Sequence, residues 1–159
     1  MRARRRYFIS VVSALALFLV VREPAAGQVT VVGQQDLTFG VVIPGTPTVV
    51  APTDAARRGE WVLTGRGNTT ISFVLPTSMQ GPSGAPMPLA FDAASAAWQR
   101  VNAGGGGGGP LTEDPRTPFS VNVQNRQTVR LFLGGTAQPT TTQPAGSYTA
   151  TITVIVAQP

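Results

Sequence analysis

The last fourteen residues of the chain, from Gly146 to Pro159, place the strongest constraint on its fold. Apolar residues recur there at every second position, namely Tyr148, Ala150, Ile152, Val154 and Val156. Because residues two apart share one face of a β-strand, this alternation predicts a long strand with one buried face. Such a terminal strand either pairs only within its own sheet or also offers an edge to which another chain can add.

The first residues have the pattern of an export signal. Four arginines within the first six residues precede an apolar run of fifteen, Tyr7 to Val21, and a stretch of small residues that ends at Gly27 follows. This pattern predicts a cleaved signal peptide, residues 1–27, and a single mature domain, residues 28–159, that begins at Gln28. The alternative is an uncleaved anchor, although the apolar run is shorter than the ~20 residues that span a bilayer. We therefore expect an exported protein, in the periplasm, at the cell surface or outside the cell, with no stable membrane span after signal removal.

The basic character of the chain belongs to the signal. The formal net charge is +5, but five of the twelve basic residues precede Gln28, together with one acid. The remaining seven arginines face six carboxylates, a net charge of +1, so the mature chain lacks the electrostatic footprint of a nucleic-acid-binding protein. The absence of cysteine excludes disulfides, a lipoprotein anchor and thiolate metal sites.

Few residues are able to carry chemistry. The chain has no histidine, which excludes the common Ser-His-Asp and Cys-His catalytic arrangements. Glu113 and Asp114 are adjacent, and neighbours on an extended chain point in opposite directions, so they do not form a glycosidase pair. Calcium binding by these two acids is an alternative to a solvated loop, but the spaced Asp-x-Asp ligand pattern is missing. We therefore predict no catalytic residue, no cofactor and no metal site, and a protein that is not an enzyme.

The mature chain is predicted to be all-β, because short apolar or alternating runs recur between turn-forming residues and no helical period appears. Eight strands at this spacing are typical of an antiparallel β-sandwich. The predicted strands are Leu37–Ile43, Glu60–Leu63, Thr69–Leu75, Pro88–Phe91, Ala97–Val101, Phe119–Val123, Thr128–Leu133 and Ser147–Val156. In the first of them Leu37, Phe39 and Val41 are expected to face the core, and Arg130 is expected to point to solvent.

A glycine-rich connection interrupts this series. Residues 102–118 contain six consecutive glycines, 104–109, which predict a flexible loop because ordering glycine costs more conformational entropy than ordering any other residue. Trp98 lies just before this loop and is the candidate aromatic for a surface contact. The alternative for Trp98 is a place in the core or at a packed edge.

Three segments carry a resemblance to a known family. They are Asp36-Leu-Thr-Phe-Gly40 with Pro44-Gly45, Leu131-Phe-Leu-Gly-Gly135, and Pro144-Ala-Gly-Ser-Tyr148 leading into the last strand. Together they resemble the bacterial secreted domain family of unknown function 4402, which is similar to spore-coat-U-like and archaic chaperone–usher pilin subunits. The residues that match this pattern are Asp36, Leu37, Phe39, Gly40, Gly134, Gly146 and Tyr148.

The resemblance implies an immunoglobulin-like, pilin-like sandwich of seven or eight strands that is completed by a strand from a chaperone or a neighbouring subunit. Its partners would be a periplasmic chaperone, an usher or like subunits. The last strand would be the assembly strand, with Ile152, Val154 and Val156 seated in the core. We therefore expect an exported, non-catalytic structural or cell-surface assembly protein that works by strand pairing. The alternative is a monomeric secreted binding module that recognises carbohydrate or an envelope component through its loops, Trp98 included.

Overall fold

The computed structural model describes residues 28–102, 108–124 and 127–159. The predicted signal peptide with Gly27, and the glycines from 104 to 107, lie outside the described residues. Within the described ranges the chain forms antiparallel strands and one 3₁₀ turn, Pro82–Gly84, and no α-helix. The all-β prediction is confirmed. None of the described segments is a helix long and apolar enough to cross a membrane.

Twelve strands are present in the described part of the chain. They are β1 (Thr30–Gln35), β2 (Thr48–Val50), β3 (Gly59–Thr64), β4 (Gly67–Val74), β5 (Ser78–Gln80), β6 (Pro86–Ala90), β7 (Ala96–Asn102), β8 (Leu111–Glu113), β9 (Phe119–Val123), β10 (Gln127–Leu133), β11 (Gly135–Ala137) and β12 (Thr153–Ala157). They form a five-stranded sheet in the order β1-β3-β10-β7-β8, a four-stranded sheet β2-β11-β6-β5 and a three-stranded sheet β12-β4-β9.

The main core joins side chains of the five-stranded and three-stranded sheets. The first sheet contributes Leu63, Trp98, Val129 and Leu131, and the second contributes Ile71, Val121 and Val123. Within β10 Val129 and Leu131 face this core, and Arg130 lies on the opposite face with its side chain 48% exposed, as the period of two predicts. Phe132 lies on the same face as Arg130 and is buried, with the guanidinium of Arg58 over its ring.

A second apolar cluster lies on the four-stranded sheet. Its buried members are Phe39, Val50, Met79, Met87 and Ala137, and Leu37, Val42, Leu89 and Tyr148 pack against it. Part of this cluster comes from the segment 36–47, which contains no strand and crosses the sheet as irregular chain. The main core brings together apolar side chains that are far apart in sequence: Val29 is buried in it and Val156 packs against it.

Six of the eight predicted strands are confirmed to within two residues at each end, namely β3, β4, β6, β7, β9 and β10. The last predicted strand is too long: only Thr153–Ala157 is continuous strand, and Thr149 forms an isolated bridge with Gln80. The prediction of a strand over Leu37–Ile43 is wrong. Five strands were not predicted. Four of them, β2, β5, β8 and β11, have only three residues and carry too little alternation to recognise, and β1, Thr30–Gln35, has the sequence TVVGQQ without a regular apolar alternation.

Gly40 explains the error at the first predicted strand. Its backbone has φ +65°, the left-handed conformation, which breaks an extended run and changes which side chains face the core. Leu37 and Phe39 pack inward as predicted, but after Gly40 it is Val42 that packs inward, while Val41 is 94% exposed. The predicted core position of Val41 is therefore wrong by one residue.

A buried ion network lies on the other face of β3. The carboxylate of Glu60 accepts hydrogen bonds from Nη2 of Arg58 at 3.0 Å and from Nη1 of Arg130 at 3.1 Å. The guanidinium of Arg58 stacks over the ring of Phe132, with 3.6 Å between Cζ and the ring centroid. Glu60 thus joins β3 to β10 and holds a largely buried arginine in place.

Candidate functional site

The strands nearest the two ends of the described chain both lie at sheet edges. β1 is the edge of the five-stranded sheet and pairs only with β3, and β12 is the edge of the three-stranded sheet and pairs only with β4, as far as the described residues show. Each of these strands therefore has one row of backbone groups without a strand partner in the described structure.

The side chain of Gln158 bridges these two edges at one end. Its Oε1 accepts a hydrogen bond from the backbone N–H of Val29 at 2.8 Å, and its Nε2 donates to the carbonyl oxygen of Arg66 at 3.2 Å. The side-chain amide thus occupies the gap between the first and last strands with one donor and one acceptor, as a backbone peptide group does.

Towards the other end of β1 the gap is open and forms a cavity of about 340 Å³. We call this opening the edge cleft. It lies between the end of β1 with the residues after it, Gly33 to Phe39, and the segment Tyr148–Ile152 that precedes β12. Its apolar walls are formed by Leu37, Phe39, Trp61, Met79, Leu89, Tyr148 and Ile152.

A second cavity of about 540 Å³ adjoins the edge cleft. The two share Leu37, Phe39, Met79 and Tyr148 as wall residues. The second cavity continues past Gly40 and Val42 to the loop that ends at Gly146, and no charged residue lines it in the described structure. The two cavities together offer a continuous surface of mixed apolar and polar residues that begins beside the edge strand β1.

Hydrogen bonds of the preceding loop hold Tyr148 in this wall. Its hydroxyl donates to the carbonyl oxygen of Pro144 at 2.7 Å and accepts from Nε2 of Gln143 at 2.8 Å. The buried amide of Gln143 also donates to the carbonyl oxygen of Pro86 at 3.2 Å, which ties the loop to β6. The aromatic ring therefore presents a fixed apolar surface, while its polar tip is satisfied away from the cleft.

The residues that match the family pattern largely meet at this place. Asp36, Leu37, Phe39 and Tyr148 line the edge cleft, and Gly40 and Gly146 line the adjoining cavity. Gly146 has φ +148°, and a Cβ atom there would collide with the ring of Pro82, so only glycine fits. Gly134 does not line either cavity; its N–H donates to the carbonyl oxygen of Ser95 at 2.7 Å between β10 and β11.

The predicted assembly strand is placed with one face on the main core. Val154 and Val156 pack against the core cluster and pair with Phe73 and Ile71 of β4, respectively. Ile152 lies just before β12 and lines the edge cleft. Ile155 is on the other face and is 49% exposed, which follows the predicted alternation.

Trp98 is not a surface residue, so the prediction of a surface contact through it is wrong. Its side chain is 7% exposed and belongs to the main core, and its Nε1 donates to Oε1 of Glu113 at 3.2 Å. The backbone of Trp98 pairs with Leu111 of β8, and this strand lies within the stretch predicted to be a flexible loop. The long-range pairing of β7 with β8 could not be inferred from the residues around Trp98.

The acidic residues of this region take part in local contacts. Glu113 bonds to Trp98, whereas Asp114 accepts two side-chain hydrogen bonds from Arg116, at 2.9 and 2.8 Å. This bonding lowers the pKa of Asp114 to about 2. In the described ranges, no group of three or more acidic residues is arranged to hold a metal ion.

Sequence reasoning missed three residues that build the cleft and the adjoining cavity: Met79, Met87 and Gln143. The predicted strands include neither methionine, although Met87 and Leu89 lie two residues apart and give a weak strand signal. No local signal marks Gln143, because its role depends on the carbonyl of Pro86, 57 residues away in sequence.

Neither the family models nor the curated proteins nor the solved structures provide a match to this chain.

Proposed function

We propose that the protein is an exported, non-catalytic assembly protein that takes up an extended strand of another chain in its edge cleft. The observation that carries this proposal is the cleft itself, an opening between the end of the edge strand β1 and the segment that precedes the edge strand β12, with apolar side chains on both sides. In this proposal the domain is an immunoglobulin-like, pilin-like β-sandwich, as the resemblance implies. Its partners would be a periplasmic chaperone, an usher or like subunits, at the cell surface or in the periplasm.

The geometry favours a strand over a compact ligand. An incoming extended chain gains backbone hydrogen bonds from an unpaired edge, and its alternate side chains enter apolar pockets below. Of the five residues from Tyr148 to Ile152, only Thr149 forms a backbone bridge, to Gln80, so the other four have no strand partner in the described structure. Apolar side chains line both sides of this opening, Leu37 and Phe39 on one side and Tyr148 and Ile152 on the other, with Gln35, Asp36 and Thr149 among them.

Gln158 sets the limit of this opening. Its amide bridges Val29 and Arg66, so an incoming strand meets a closed gap at that end. The proposed occupant is therefore a short strand beside residues 148–152, and a full-length addition along β12 would require Gln158 to move.

The alternative function is a monomeric secreted binding module that recognises carbohydrate or an envelope component through its loops, Trp98 included. The burial of Trp98 removes one residue proposed for that contact. No observation in the described structure favours it over strand uptake.

Strand uptake is tested with a fluorescein-labelled synthetic peptide of alternating valine and threonine, added to the purified chain from residue 28 to 159. We expect saturable binding, measured as fluorescence anisotropy. Ile152→Asp is expected to abolish binding, because it places a carboxylate in the apolar wall of the cleft. Ile155→Asp is the matched control, since Ile155 is 49% exposed on the opposite face.

Circular dichroism of both variants controls for folding. If wild-type protein does not bind the peptide, or if folded Ile152→Asp binds as well as wild type, strand uptake in the cleft is refuted.

Light-scattering chromatography, with SDS electrophoresis before and after boiling, adds a test on assembled material. Strand exchange predicts complexes that resist SDS and dissociate on boiling, whereas complexes that dissociate in SDS without boiling would contradict it.

A further inference from the structure

The edge cleft contains one charged side chain. Asp36 is the only charged residue among those that line the edge cleft or the adjoining cavity in the described part of the chain. Asp36 is exposed, whereas Leu37 and Phe39, which follow it, pack on the second apolar cluster. An occupant of the cleft therefore meets an apolar wall with a carboxylate at its rim.

The carboxylate of Asp36 has no ionic partner within the described ranges, where all the ion pairs are formed by other acidic residues. The two arginines nearest to it in sequence after the cleft segment are already paired. Nε of Arg57 lies 2.8 Å from Oδ2 of Asp54, and Nη2 of Arg58 lies 3.0 Å from Oε2 of Glu60. The cleft thus presents a negative charge that the described residues do not neutralise.

Hydrogen bonds on both sides of Asp36 hold its backbone. The side-chain amide of Gln35 donates to the carbonyl oxygen of Arg58 at 2.8 Å. The backbone N–H of Thr38 donates to the carbonyl oxygen of Arg57 at 2.8 Å. A cation that pairs with Asp36 therefore does not have to order this segment first, which lowers the entropic cost of the contact.

A strand that enters the cleft displaces water from the carboxylate of Asp36. A carboxylate that loses water without gaining a partner weakens binding, whereas a lysine or arginine beside it forms a charge-assisted hydrogen bond. Because successive side chains of a strand point to opposite sides, the neighbours of a cation at the rim face the apolar wall. The cleft therefore favours a strand in which a basic residue stands between two apolar residues.

A second folded copy of this chain does not offer such a strand. In residues 28–159 an arginine stands between two aliphatic residues only at Val129-Arg130-Leu131, and the chain contains no lysine. These three residues lie in β10, which pairs with β3 on one side and with β7 on the other. Both edges of β10 are therefore occupied, and the strand must come from a different protein.

We propose that the edge cleft selects a strand of another protein that carries a lysine or arginine between two apolar residues, and that this cation pairs with Asp36. The inference rests on the proposed uptake of a strand and names the class of strand that the cleft takes. Asp36 is in this proposal the residue that determines specificity, while the apolar wall supplies the contact common to all strands.

Three versions of the labelled valine–threonine peptide test the pairing, with the central threonine kept or replaced by lysine or by glutamate. Wild-type protein should bind the lysine peptide at least about fivefold more tightly than the glutamate peptide, because attraction to Asp36 becomes repulsion. Asp36→Asn should remove this preference, and Asp36→Arg should reverse it. Asp114→Asn is the matched control, since it removes one carboxylate outside both cavities and should keep the preference.

Carbodiimide crosslinking locates the cation. The reagent joins a carboxylate to an amine, and because the chain contains no lysine, the lysine of the peptide supplies the only side-chain amine. Mass spectrometry should find the crosslink at Asp36. A main crosslink at another carboxylate, or an equal yield from Asp36→Asn, would overturn the pairing.

The outcomes separate this inference from the proposed function. If the three peptides bind wild-type protein equally, or if Asp36→Asn keeps the preference for lysine, strand uptake stands and the role of Asp36 is wrong. If none of the peptides binds, both proposals are wrong. If wild-type protein forms dimers that Asp36→Asn dissociates, a second copy occupies the cleft and the choice of a different protein is wrong.

Discussion

Replacing Gly40 with alanine is expected to lower the free energy of unfolding, although the new methyl group meets nothing. Gly40 has φ +65°, and no heavy atom of another residue lies within 4 Å of the position that a Cβ atom would take. The whole effect is therefore a backbone effect. The replacement therefore tests the left-handed backbone of Gly40, the feature that places Val42 on the second apolar cluster and Val41 in solvent.

The expected size follows from two opposing contributions. The left-handed conformation costs a residue with a Cβ atom about 1–2 kcal/mol. Alanine also restricts the unfolded chain more than glycine does, which stabilises the folded state by about 0.4–1 kcal/mol. The net loss is about 1 kcal/mol, and Gly40→Asn should lose less, because asparagine adopts this conformation more readily.

Gly33→Ala is the matched control. Gly33 lies in β1 without a left-handed φ, and its Cβ atom would make an ordinary contact of 3.7 Å with the ring of Trp61. This replacement should raise the free energy of unfolding by about 0.4–1 kcal/mol. Urea unfolding followed by tryptophan fluorescence measures both variants, provided that the slope of free energy against urea is unchanged.

Two further variants test the register directly. Val41→Ser is expected to change the free energy of unfolding by less than about 0.5 kcal/mol, because Val41 is almost fully exposed. Val42→Ser should cost more, because Val42 packs on the second apolar cluster. The reasoning about Gly40 is refuted if Gly40→Ala is as stable as Gly33→Ala, or if Val41→Ser costs more than Val42→Ser.

Two predictions concern charged groups. Glu60→Gln should lower the free energy of unfolding in urea by about 3 kcal/mol, because it leaves the largely buried guanidinium of Arg58 without its carboxylate. Arg130→Ala should lower it by at most about 1 kcal/mol, because that side chain is 48% exposed. Equal losses in the two variants would contradict the network. NMR titration should place the pKa of Asp114 at about 2, and Arg116→Gln should move this pKa back towards the ordinary value of 3.8. Because the pKa of Asp114 is lower in the folded protein than in the unfolded chain, the stabilisation from the pair with Arg116 is present above pH 4 and is lost as the pH falls towards 2. A pKa of Asp114 that does not change in Arg116→Gln would rule out the pair.

Part of the proposed site could be predicted from sequence. The resemblance singled out Leu37, Phe39 and Tyr148, and these residues do line one cleft. The methionines of the second cluster and the amide of Gln143 were missed, because they join the site through contacts between segments far apart in sequence. Trp98 was wrong as a surface residue for the same reason: β8, which pairs with β7 and supplies the Glu113 that accepts a hydrogen bond from its Nε1, follows the glycine-rich stretch.

The sequence by itself determined the all-β class and the strands with a clear period of two, such as β9 and β10, because alternation between buried and exposed faces is a local property of the chain. The solvent-facing side chain of Arg130 followed from the same local rule. Only the tertiary structure decided that Gly40 shifts the inward face from Val41 to Val42, because its left-handed backbone depends on how the segment packs. Tertiary structure likewise decided that the end of β1 and the segment before β12 lie beside one cleft, because β1 pairs with β3 and β12 pairs with β4, contacts between segments far apart in sequence.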